Sequence, residues 1–203
     1  AQRARHLFGP IGKLGWGTPT LVTADIGLVL EVPEPIRLLV FGVLRAKLPK
    51  EDKVLLRLQV NFLGEINFER QELSFDAHLF DSRLAQFSLD GDMAVRIKSG
   101  DDANLLLTVG GFHPGYTPPP MALPSLSRVQ IKLFDSDNPS LRLEGYFAVT
   151  SNSVQIGAAV ELLAKASKFN VYGFIGFDGL FQLDPFRFVV LVHGTLVARI
   201  GTR

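Results

Sequence analysis

An all-β fold of antiparallel strands is predicted by three observations. Apolar residues alternate with period two along most of the chain, turn-forming clusters break that alternation at short intervals, and the two halves echo each other at a nearly constant spacing. The expected architecture is a pair of tandem repeats, each of ~104 residues, forming one continuous solenoid-like array. The alternative is two β-sandwich or barrel modules of about 100 residues each.

Residues 1–7 are set aside as a leader or fragment end, and because the chain begins without methionine it is expected to be processed, tagged or cut from something longer. In "DIGLVLEV" Ile26, Leu28, Leu30 and Val32 share one face, with Asp25, Gly27, Val29 and Glu31 on the other. In "VLLRLQVNF" Val54, Leu56, Leu58, Val60 and Phe62 point one way, and Arg57, Gln59 and Asn61 the other. "RVQIKLF" and "SVQIGAAVEL" read the same way. The breakers between runs are "VPEP", "LPKED", "SGDDAN", "DSDNPS", "TSNS" and "LDP", and short breakers between strands imply hairpins. One segment, "GAAVELLAKASK" at 157–168, has helix-forming composition. Ile156, Ala158, Val160, Leu162 and Ala164 nevertheless alternate cleanly, so it is assigned to a strand. "FNVYGFIGF" carries Phe169, Val171, Ile175 and Phe177 on one face and Tyr172 and Phe174 on the other, a pattern expected of a strand covered on both sides.

The echo between halves keeps an offset of 102 to 105 residues: Ile26 with Ile131, Gly42 with Gly145, Phe75-Asp76 with Phe177-Asp178, and "VRI" at 95–97 with "ARI" at 198–200. This divides the chain into a first repeat, 8–111, and a truncated second repeat, 112–203. The stretch "GGFHPGYTPPP", 110–120, is then the seam. Its glycines permit close backbone approach and its prolines block ladder pairing.

With these residues in place the chain resembles a known group. "LLLTVGGFHPGYTPP", "LRLEGYFAVTSNSVQIGAAVEL" and "FNVYGFIGFDGLFQLDPFRFVV" are similar to segments of long, repetitive, β-rich bacterial proteins classed as a domain of unknown function. The most distinctive matches are Gly-Gly-Phe-His-Pro and Phe-Asp-Gly-Leu. The first repeat departs from them, with Gly9 where the second has His113 and Ser82-Arg83 where it has Pro-Phe. The resemblance implies architecture and a bacterial origin; it implies no activity.

Composition narrows the function classes. Twenty-one basic and 20 acidic residues are spread along the chain without a basic stripe, which gives no support to nucleic-acid binding. The absence of cysteine excludes disulfides, thiolate metal sites and cysteine nucleophiles. No apolar run reaches the ~20 residues of a membrane helix. His6, His78, His113 and His193 lack metal-ligand spacing. The acidic clusters at 90–92, 100–102 and 135–138 do not fit a calcium loop and read as turns. The glycines of "GFIGFDG" lie within a strand, not between strand and helix as a phosphate-binding fingerprint requires. No catalytic, cofactor-binding or metal-binding residue is therefore nominated, and no cofactor.

The expected function is non-enzymatic: a structural, self-assembling β-repeat segment of a larger scaffold. Its expected partner is itself, head-to-tail or edge-to-edge, because excised repeats leave open sheet edges such as "VVLVHGTLVARIGTR". The alternative is a lipid- or hydrophobe-binding β-groove or barrel, suggested by 16 phenylalanines and a positive mean hydropathy. Membrane or lipid contact is the less favoured expectation, since Arg57, Gln59, Asn61 and Lys132 argue against a lipid-facing band on a membrane barrel.

Overall fold

The computed structural model describes residues 6–48, 55–134, 138–166 and 168–201. Among these there is no helix and there are fifteen strands: His6–Phe8 (β1), Ile11–Trp16 (β2), Val22–Val32 (β3), Arg37–Leu48 (β4), Leu56–Asn67 (β5), Glu72–Leu79 (β6), Ser82–Leu84 (β7), Phe87–Asp90 (β8), Asp92–Lys98 (β9), Asn104–Val109 (β10), Val129–Lys132 (β11), Ser140–Thr150 (β12), Ser153–Ala166 (β13), Phe169–Gln182 (β14) and Arg187–Ile200 (β15). They form one sheet, antiparallel throughout, so the all-β antiparallel expectation holds. The sheet is open: β1 and β2 pair only with β3 at one end, and β15 pairs only with β14 at the other.

Its backbone is a meander in which β3-β4-β5-β6-β9-β10 runs on into β12-β13-β14-β15. β8 and β9 are one strand interrupted at Gly91 (φ +147°), where a Cβ would lie 2.8 Å from the Val129 Cα. That interruption lets the strand serve β10 through Met93–Lys98 and β11 through Ser88–Asp90.

Residues 157–166 are strand, lying within β13. Helix propensity there is overridden because β13 is laddered along both edges, Val160 facing Leu143 of β12 and Ile175 of β14. The expectation that "FNVYGFIGF" is covered on both sides is corrected. Ile175 is 61% exposed and Phe177 is 40% exposed, while on the opposite face Phe174 stacks on His193 with ring centroids 5.4 Å apart. β14 and β15 carry no second layer, so side chains with buried-strand character remain in solvent.

Among the described residues one segment lies across the sheet. Residues 110–128 leave β10, cross one face over β9, β10, β12 and β13, and return to β11. The Arg96 Nε donates to the Ala122 carbonyl at 2.8 Å, the His113 N–H to the Gln155 side chain at 2.9 Å, and the Ser127 N–H to Asp92 at 2.6 Å. Beneath this crossing sit the most deeply buried side chains, including Leu106, Thr108 and Gln155.

Close backbone approach makes one glycine testable. A Cβ on Gly42 would lie 2.0 Å from the Asp25 carbonyl oxygen of the neighbouring strand. Gly42→Ala is expected to push β3 from β4 and cost about 1–3 kcal/mol, as overpacking does, read as a lowered midpoint in urea. An unchanged midpoint would show that the strands part freely.

Candidate functional site: a sheet with one apolar face

Period-two alternation sets two faces on each strand, and the ladder register decides whether they line up. Here they do. Leu28, Val40, Gly64, Phe75, Val95, Leu107, Val149, Val154, Phe181 and Phe188 are successive cross-strand partners over ten strands, so all ten point the same way. On that side of β3, β4, β5, β6, β9, β10, β12, β13, β14 and β15 there is no polar side chain between the strand bounds. At ~4.8 Å per strand the band runs for roughly 45 Å along the sheet. Its residues are half-buried in the middle and open toward β15, where Val192 is 75% and Leu196 is 79% exposed.

The band is smooth as well as apolar. Gly42 lies opposite Phe62 and Gly64 opposite Phe75, and a Cβ on Gly64 would lie 3.3 Å from the Phe75 ring, so that glycine leaves room for it. The Phe62 and Phe75 rings stack at 6.0 Å. Among the described residues no chain segment covers this face; the 110–128 crossing lies on the other one.

The opposite face carries the charge. Cross-strand ion pairs run along it: Arg45 with Asp25, Arg37 with Glu31 at 2.5 Å, Arg96 with Asp76 at 2.8 Å, and Arg142 with Glu161. These neutralise the sheet locally and fix its register. The hydrogen bond and charge of Glu31 raise the Arg37 pKa above its ordinary value.

The histidines that sequence reading passed over are scattered. His6 stacks beside Phe8 at 6.3 Å, and His78 meets Asp92 at 2.6 Å. His113 belongs to the crossing and is buried, its Nδ1 accepting the Gly115 N–H at 3.0 Å. His193 lies 3.7 Å from Asp178, whose Oδ1 accepts the Tyr146 hydroxyl at 2.9 Å. Burial and the bond to Asp178 push the Tyr146 phenol far above its usual range, despite Arg128 stacked 3.8 Å over its ring. A phenol held protonated serves as a structural donor and not as a base. Among the described residues no three metal-ligating side chains converge.

The acidic clusters have separate roles. Asp90 accepts the Gly91 N–H at 2.8 Å, a turn contact, and residues 135–137 lie outside the described residues. Asp92 anchors the crossing. Burial alone would raise its pKa, but the bonds from the Ser127 backbone, from His78 and from the Ser127 side chain outweigh that and hold it below the usual carboxylate value. A depressed folded-state pKa contributes stability that is present above the unfolded pKa of ~3.9 and is lost as pH falls through the folded value. Asp92→Asn is accordingly expected to lower the melting temperature at neutral pH, with the gap to the parent closing as pH falls below the unfolded value of ~3.9 and through the lower folded value. A gap that persists in acid would assign the effect to packing.

The family model that matches residues 1–202 is described as a family of unknown function (DUF6603). No curated protein and no solved structure matches the chain.

Proposed function

The chain belongs to this family of unknown function, and from that premise we propose that it is a non-enzymatic hydrophobe-binding module whose apolar face holds lipid acyl chains. One observation carries the reading: ten neighbouring strands of the sheet present a single face without a polar side chain, and among the described residues the one segment lying across the sheet is on the opposite, charged face. An exposed apolar surface of this extent marks a binding site in a soluble protein. Each methylene that leaves water contributes ~0.8 kcal/mol, so acyl chains laid along the band gain affinity with length and need no specific contact. The ion pairs of the other face keep that side in water.

A two-repeat organisation would fit the same role. The order β3-β4-β5-β6-β9-β10 runs on into β12-β13-β14-β15 with the same face apolar throughout, so a further copy added in this way would lengthen the band. The test is solvent extraction of the purified protein followed by mass spectrometry. Co-purifying lipid, together with binding of a fluorescent fatty acid by the delipidated protein, is the expected result. Protein that carries no lipid and binds none would overturn the proposal.

A second reading, self-assembly into a scaffold, is favoured by one observation of its own. β15 offers an edge of fourteen residues laddered on one side only, and from Phe188 to Ala198 it holds no Lys, Arg, Asp or Glu to blunt that edge. Light scattering that rises with concentration in lipid-saturated protein would assign a scaffold role. A constant particle mass would leave lipid carriage alone.

A further inference from the structure

In one region of the charged face, cations are set directly against cations. Across five strands, Arg57 of β5, Arg83 of β7, Ser88 of β8, Lys132 of β11 and Arg142 of β12 are direct cross-strand partners. Arg142 is neutralised by Glu161. Among the described residues none of Arg57, Arg83 and Lys132 has a carboxylate within ion-pair distance. Like charges set directly opposite one another destabilise a sheet, and Lys47 of β4 extends the row as the partner of Arg57, whereas Arg37, Arg45, Arg96 and Lys98 on this face are set against acids. Arg57 opposite Arg83, and Lys132 opposite Arg142, are therefore arrangements that the sheet alone does not explain.

The three cations line a pocket of about 530 Å³. It is made by the β7–β8 excursion, which departs from β6 through Asp81 (φ +44°) and turns at Ala85 (φ +52°). Ser82, 2% exposed, fixes that excursion to β5: its Oγ accepts the Gln59 N–H at 2.9 Å and donates to the Gln59 or Phe80 carbonyl. Two carboxylates also line the pocket. Asp90 is engaged by the Gly91 N–H, and Asp81 forms no ion pair with the row.

We propose that this row is a binding site for a phosphate-bearing anion. Two guanidinium forks side by side match the oxygens of one phosphate group, and Lys132 adds a third charge across Ser88. The ligand cancels the repulsion that the sheet leaves uncancelled. The site lies on the face opposite the apolar band and does not depend on lipid carriage there. The phosphate can belong to a soluble ester or to a lipid headgroup, and the experiment separates the two.

Inorganic pyrophosphate is titrated into the full chain by calorimetry. In parallel, flotation is measured with phosphatidylcholine vesicles with and without phosphatidate. Saturable binding of pyrophosphate that weakens with salt is expected for a soluble ligand, and binding only to phosphatidate vesicles for a headgroup. In either arm Arg83→Gln is expected to weaken binding ~tenfold or more, the factor carried by loss of one charge-assisted hydrogen bond. Without ligand, Arg83→Gln is expected to melt at or above the parent temperature, because it relieves Arg57. All three residues are exposed, so loss of folding does not confuse the result. Failure to bind in both arms, or binding indifferent to Arg57→Gln, Arg83→Gln and Lys132→Gln, overturns the proposal.

Discussion

Aspartate at both Ile156 and Ile175 is expected to strip the apolar face of its ligand, lowering co-purified lipid more than tenfold while leaving the sheet folded. The two positions lie on adjacent strands, within the apolar band, and are 44% and 61% exposed. In the empty protein their carboxylates stay hydrated, so folding is little disturbed beyond the ~1 kcal/mol range of strand propensity. Once an acyl chain lies over them, the carboxylates must lose water without a partner, at a cost of several kcal/mol, which exceeds tenfold in affinity. Aspartate is chosen over lysine because a short side chain cannot carry its charge out to the rim. The control is Thr195→Asp, on the opposite face of β15 and across from Phe174. Lipid lost equally from the control would attribute the effect to net charge, and lipid unchanged in the double variant would remove the apolar band from the binding reaction.

The two sides of each strand were legible from alternation alone. Leu56, Leu58, Val60 and Phe62 oppose Arg57, Gln59 and Asn61 as expected. What alternation does not contain is the relation between strands. A slip of one residue in any ladder reverses that strand's faces, and only the register places Phe75, Val95, Leu107 and Val149 in one row. The length of the band is thus a property of ladders, not of any segment. The apolar character of "FNVYGFIGF" was read correctly but its cover was not, because an exposed binding face and a buried layer demand the same residues.

Cations show the same limit from the other side. Arg57 and Arg83 are 26 positions apart, and nothing local marks them as neighbours until the β7–β8 excursion turns back on β5. The seam at 110–120 was legible as an interruption of the ladder, through Pro114 and Pro118 to Pro120. Its destination was not, since it crosses the face with more polar residues. A signal was present in "MAVRIK", where Arg96 sits between Val95 and Ile97, but a lone arginine on an alternating strand ordinarily faces solvent.

Removing that arginine is expected to be the most damaging single change in the chain. Arg96 is 7% exposed and is the bolt between sheet and crossing. Its Nε donates to the Ala122 carbonyl, its Nη1 to the Val95 carbonyl at 2.8 Å and the Phe75 carbonyl at 3.3 Å, and its Nη2 to Asp76 at 3.0 Å. Arg96→Ala leaves the Asp76 carboxylate without its partner and the Ala122 carbonyl without its donor. The Asp76 side chain is 35% exposed, so water takes up part of the loss; removing the buried guanidinium from its acceptors costs about 3 kcal/mol, or roughly 10 °C in melting temperature for a chain of this size. Arg96→Lys is expected to recover little, because a point charge cannot reach Asp76 and Ala122 at once as the planar fork does. Hydrogen exchange locates the damage: the amides of His113 and Ser127, which bond Gln155 and Asp92 across the crossing, should lose protection before those of β13 and β14. The apolar band on the far side should still take up fatty acid at temperatures where the sheet persists, since β14 and β15 make no contact with Arg96. An Arg96→Ala protein that melts with the parent, or one in which β14 opens together with the crossing, would mean that the segment is held by its prolines and not by this guanidinium.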